Sequence, residues 1–123
     1  MKAADLMIGD WVGRVFDDKR IIEDYRQVDW IRTGEIGMRY CKVWSIGCIE
    51  PIPLTPEILE KNGWKHSNRL MITRVDGIDF YWYEGLHVLY KNRYNMCDCK
   101  YVHTLQHALH LCGLDELADN FKI

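Results

Sequence analysis

The stretch CDCKYVHTLQHALHLCG, from Cys97 to Gly113, holds three of the five cysteines and three of the five histidines of this chain. Thiolates and imidazoles are the ligands that zinc prefers, and a cysteine beside a histidine is the simplest nucleophile and base pair. His103 and His107 stand four apart, so a helix would place them on adjacent turns, within reach of one ion. The remaining ligands do not follow. On the same helix Cys99 and His107 would be separated by about 12 Å of rise, so a tetrahedral ion would need a further ligand from elsewhere in the chain. HTLQH also lacks the glutamate that serves as general base in a zinc hydrolase helix. Cys99 near a helix start would have its thiolate favoured by the helix dipole, with His103 one turn on, yet no third group orients such a pair. GDWVG and GEIG have neither the spacing nor the following lysine or helix of a phosphate cradle. The expectation is a chain with no catalytic residues, no cofactor and no metal, with His103 and His107 as the ligands if a metal were bound.

The same stretch reads as an amphipathic helix with Asp98 as its N-cap and Gly113 as its stop. At about 100° per residue, Val102, Leu105, Leu109 and Cys112, edged by Tyr101 and Ala108, form an apolar stripe, and Cys99, His103, Gln106, His107 and His110 fall opposite it. This places His103, Gln106 and His107 toward solvent or a partner. Residues 114–121 add one more turn.

Other elements must carry this helix. From Trp11 to Ile49, β-branched and aromatic runs (WVGRVF, YRQVDWI, MRYCKVWSI) are broken by DDKR and RTGEIG, and so few short strands bury themselves best by curling into a small SH3-like antiparallel β-barrel. In IEPIPLTPEILEKNGW the prolines force an extended approach. Thr55 then caps a short helix over 55–62, with Pro56 at its first position, Glu57 in its first turn and Gly63 at its stop. RLMITRVDGIDFYWYEGLHVLYKN alternates as a second small antiparallel sheet, with turns at Asp76-Gly77 and Glu84-Gly85. In its middle strand Ile78, Phe80 and Trp82 share one face, while Asp79, Tyr81 and Tyr83 share the other and are candidates for a binding surface. The class is therefore α+β, with residues 1–53 as the barrel and 54–123 as helix, sheet and C-terminal helix, packed as one compact unit with the first.

Composition narrows the function classes. At 123 residues and 48% hydrophobic content the chain suits one small globular domain, and its five Trp and seven Tyr supply a core with area to spare. The net charge of −2 is evenly spread, eight basic against nine acidic residues in each of 1–53 and 54–123, so nucleic-acid binding is not favoured. Asp5 and Asp10 interrupt the N-terminal apolar residues and no run approaches a membrane span. An odd cysteine count without an export signal indicates reduced thiols and a cytoplasmic setting.

Three segments, ADLMIGDWV, IEPIPLTPEILEKNGW and YVHTLQHALHLCGLDEL, resemble a family of small uncharacterised proteins encoded by gut anaerobic bacteria, their prophages and phages. Ile8, Gly9, Val12, Pro51, Pro53, Leu54, Thr55, Gly63, Tyr101, Val102, His103, Leu105 and Gln106 stand at its shared positions. His107 stands where asparagine is usual, and residues 16–46 and 64–96 match weakly or not at all. The resemblance implies a mobile-DNA context in a bacterial host cell. The expected function is a non-enzymatic binding protein that occupies a host protein or sequesters a nucleotide-type signal used in antiviral defence. Its expected contacts are Tyr81 and Tyr83 for stacking and His103, Gln106 and His107 for hydrogen bonds. Nucleic-acid binding through Trp11, Arg14, Trp30, Arg32, Arg39 and Trp44 of the barrel is the alternative, zinc binding a further one, and self-association is left open.

Overall fold

A computed structural model describes residues 5–15, 22–32, 34–38 and 42–123. The chain divides into two compact units, Met1–Ile52 and Pro53–Ile123. Together they make an α+β protein with two small antiparallel sheets and a few helices. No helix among the described residues is long and apolar enough to cross a membrane.

The first unit is built from β1 (Trp11–Val15), β2 (Ile22–Arg32), β3 (Glu35–Met38), β4 (Lys42–Ser45) and, after a 3-10 turn at Ile46–Cys48, β5 (Ile49–Glu50). They pair in the order β4-β3-β2-β1-β5, all antiparallel. Val12, Val28, Ile36, Met38, Trp44 and Ile49 point inward with Leu6 and form one buried cluster, as the alternation of apolar residues along short strands requires. Among the described residues the expected barrel does not close: β5 is two residues long and pairs with β1 alone, so β4 and β5 remain the edges. The polar DDKR break, part of the RTG turn and the Arg39 to Cys41 portion of the last strand lie outside the described residues.

Two glycines of this unit have work that a side chain would spoil. Gly9 sits at φ 96°, donates to the Val28 carbonyl at 2.7 Å and accepts from Gln27 Nε2 at 3.0 Å, while Asp10 Oδ2 accepts from the Met7 amide at 2.8 Å. That turn fastens the N-terminal segment to β2. Gly37 pairs with Trp30 across the β2–β3 ladder, and a Cβ at that position would fall inside the Trp30 ring. The indole occupies the space that the missing side chain leaves.

The second unit begins with α1 (Pro56–Lys61). Thr55 Oγ1 accepts from the Ile58 amide at 3.3 Å, Pro56 opens the helix, and Gly63 follows at φ 85°, as the local signals predict. A five-stranded meander follows: β6 (Lys65–Ser67), β7 (Leu70–Val75), β8 (Ile78–Tyr83), β9 (Val88–Lys91) and β10 (Tyr94–Asp98), paired in that order. The Asp76-Gly77 turn has both residues at positive φ, which suits a tight two-residue hairpin. Met71, Phe80, Trp82 and Leu89 are buried beneath the sheet with Trp64.

Helix α2 (Val102–Leu111) and the short α3 (Asp115–Asp119) complete the unit. Here the structure corrects the expected helix start. Asp98 is not a cap but the end of β10, paired with Val88, while Leu54 donates to the Lys100 carbonyl and Tyr101 bridges to Pro53. These long-range partners hold residues 97–101 extended, so α2 starts only at Val102 and Tyr101 caps it without a side-chain bond. Cys99 therefore lies outside the helix and its dipole.

Candidate functional site

The histidine-bearing side of α2 is not open to solvent as its helical spacing suggests. His103 is 9% exposed and Gln106 1% exposed. For Gln106 the cause is α3: the left-handed turn at Gly113 (φ 75°) folds it back on α2, and Gln106 Nε2 donates to the Ala118 carbonyl at 2.9 Å. The His103 ring stacks on Tyr101 at 5.9 Å between centroids and meets the edge of the half-buried His107 at 5.5 Å. Burial thus removes His103 and Gln106 from the surface that was expected to carry ligand contacts. His110 closes the α2–α3 corner, its Nδ1 2.7 Å from Asp115 Oδ1 and its Nε2 3.1 Å from Asp119 Oδ1. The hydrogen bond that its ring donates to Asp115 holds its pKa above the ordinary histidine value, opposed by partial burial and aided by the Asp119 charge. Carboxylates facing both ring nitrogens favour the doubly protonated imidazolium.

Cys97 and Cys99 are not set up as nucleophiles. Cys99 is fully buried; its amide donates to the His87 carbonyl at 2.6 Å and its carbonyl accepts from Trp82 Nε1 at 2.8 Å. Burial, then the neighbouring Cys97, pushes its thiol pKa far up, and burial followed by Asp98 and Cys112 raises that of Cys97. A thiol shifted in this direction is the opposite of an activated one. Among the described residues no group of three His, Cys, Asp or Glu is placed to hold a metal ion.

Chemistry of another kind gathers on the outer face of the second sheet. In β8 the buried Phe80 and Trp82 alternate with Tyr81 and Tyr83, as expected for side chains on opposite faces of a strand. The register then extends the tyrosine face across the meander. Tyr81 pairs with Ile72 on one side and Tyr90 on the other, and Tyr83 pairs with Leu70 and Val88. Paired residues share a face, so Leu70, Ile72, Tyr81, Tyr83, Val88 and Tyr90 form one continuous apolar and aromatic surface. Leu70, Tyr81, Tyr83 and Tyr90 line a shallow hollow of about 280 Å³ with Asn92, and Tyr83 is 37% exposed. Asn92, at φ 57°, is fixed by its backbone amide to the Asp79 carbonyl at 2.6 Å and by its side chain to the Asp79 amide at 3.1 Å. Tyr90, Leu70 and Asn92 were legible as neighbours only through the strand register; alternation within one strand points to Tyr81 and Tyr83 alone.

In the first unit, the residues suggested for nucleic-acid stacking are engaged within the fold. Trp44 is a core residue with Arg14 5.6 Å from its ring centroid, and Trp11 is half-buried. Trp30 lies against the Gly37 backbone with the Arg32 guanidinium 4.5 Å from its ring centroid. Arg39 lies outside the described residues. Compared with known proteins, the chain matches no family model, no curated protein and no solved structure.

Proposed function

We propose that the protein acts by occupancy and not by turnover, taking a nucleotide-type ligand on the outer face of its second sheet. The observation that carries this reading is the hollow formed by Leu70, Tyr81, Tyr83 and Tyr90. Tyrosine rings offer a flat apolar surface with a polar rim, and stacking of a nucleobase on an aromatic side chain contributes about 1–3 kcal/mol. Half-exposed tyrosines beside a fixed amide, Asn92, also supply hydrogen-bond donors and acceptors for the edge of such a base. The sequence resemblance supports a phage or mobile-element setting in the cytoplasm of a bacterial host, where sequestering a nucleotide signal would blunt a defence response. Binding a host protein through the same face is the rival occupant.

The test is equilibrium titration of the purified chain with cyclic and linear nucleotides, followed by tyrosine and tryptophan fluorescence and by thermal stability. Binding that is lost in Tyr81→Ser and Tyr83→Ser variants is expected. Absence of any ligand-dependent change at millimolar nucleotide, with the wild-type chain folded, refutes the reading.

A second reading uses the first unit as an SH3-like nucleic-acid module. The antiparallel meander whose last strand returns to β1 supports it. Oligonucleotide affinity that stays constant as salt rises would count against it, because phosphate contacts release counterions.

A further inference from the structure

We infer that the outer face of the second sheet has a phosphate-binding end formed by Lys65 and Arg74, beside the tyrosine hollow. This deepens the nucleotide reading above and rests on it. Lys65 of β6 pairs with Ile72, Ile72 with Tyr81 and Tyr81 with Tyr90, so these four side chains form one row across four strands. Arg74 is two residues beyond Ile72 on the same strand and therefore shares that face. Lys65 and Arg74 line, with Gly63, His66, Ser67, Ile72 and Thr73, a hollow of about 580 Å³ along the β6–β7 pair.

The spacing suits a mononucleotide. Two strand steps of about 4.8 Å put the Lys65 backbone about 10 Å from that of Tyr81, a gap that the flexible lysine stem closes toward a phosphate joined to a stacked base. Arg74 is held through Nε by Asp79 at 3.5 Å, and its side chain is 71% exposed. An arginine anchored at Nε presents the other donors of its planar fork to a second anion. Lys65 and Arg74 supply two cations here, with the Asp79 carboxylate as the ion partner of Arg74. Two positive charges on so small an area suit one phosphate group better than an extended polyanion.

The experiment compares adenosine and guanosine, their 5′-monophosphates, inorganic phosphate and a short oligonucleotide by equilibrium titration of the full chain at low ionic strength. The monophosphates are expected to bind about five- to tenfold more tightly than the nucleosides, the discrimination that two solvent-exposed charge contacts supply. Lys65→Gln and Arg74→Gln should each shrink that ratio while leaving nucleoside affinity unchanged, and inorganic phosphate should compete with the monophosphates but not with the nucleosides. The oligonucleotide should bind no more tightly than the monophosphates. Equal affinity for nucleoside and monophosphate, or variants with wild-type discrimination, overturns this inference and leaves the tyrosine reading standing. Much tighter, steeply salt-dependent oligonucleotide binding overturns it in favour of a nucleic-acid strand. Binding of neither nucleoside nor monophosphate overturns both readings together.

Discussion

Replacing His110 with alanine should destabilise the second unit in acid and do far less in mild alkali. The imidazole bridges Asp115 and Asp119 across the α2–α3 corner and sits in the last turn of α2, where a positive charge meets the helix dipole. Both carboxylates are well exposed, their side chains 70% and 46% accessible, so water screens the pair. Exposed ion pairs contribute about 0.2–1 kcal/mol and a terminal cation about 0.3–1 kcal/mol. A loss near 1 kcal/mol at pH 5.5 is therefore expected, equivalent to a Tm decrease of roughly 4–8 °C for a unit of this size. The pH dependence follows from the direction of the shift. A folded-state pKa raised above the ordinary histidine value of 6.5 gives stabilisation that is fully present below 6.5 and is lost as pH rises through the folded value. The measurement is urea denaturation of wild type and His110→Ala at pH 5.5 and 8.5, taking the difference at each pH so that other titrating groups cancel. Amide hydrogen exchange in α2 and α3 localises the effect. A difference that is the same at both pH values, or larger at 8.5, refutes the clamp; so does an NMR titration placing the His110 pKa at or below 6.5.

Two further substitutions test the packing. Gly37→Ala should destabilise the first unit by about 1–3 kcal/mol, because the new Cβ must displace the Trp30 ring from the β2–β3 ladder; a wild-type urea midpoint would show that the indole moves away without penalty. Gln106→Met keeps the side-chain length but removes the donor to the Ala118 carbonyl, which keeps a longer bond from the Phe121 amide at 3.4 Å, so the lost hydrogen bond costs about 0.5–1.5 kcal/mol. Faster hydrogen exchange in α3 is the expected signature, and unchanged exchange there would mean that Gln106 does not hold the two helices together.

The course of α1 was set by neighbours in the chain. Thr55, Pro56, Glu57 and Gly63 act through bonds and dihedral preferences spanning a few residues, and the helix starts and stops where they place it. The same holds for the Asp76-Gly77 hairpin and for the alternation that buries Phe80 and Trp82 and turns Tyr81 and Tyr83 outward. Residues 97–101 were another matter: their fate depended on Val88, Leu89, Leu54 and Pro53, and no local capping signal competes with a strand ladder and a bridge to a distant segment. The burial of Gln106 on α2 depended on α3, because a helical wheel reports which residues share a face but not what folds over it. Closure of the first sheet turned on a two-residue strand, β5, whose reach only its pairing reveals. Lys65, Arg74, Tyr81 and Tyr90 became one surface only through the register of four strands, since residues so far apart in the chain meet through cross-strand pairing alone. Short-range stereochemistry and alternation were legible in the sequence; tertiary pairing decided which faces met water, because each such contact closes a loop whose partner the local residues do not encode.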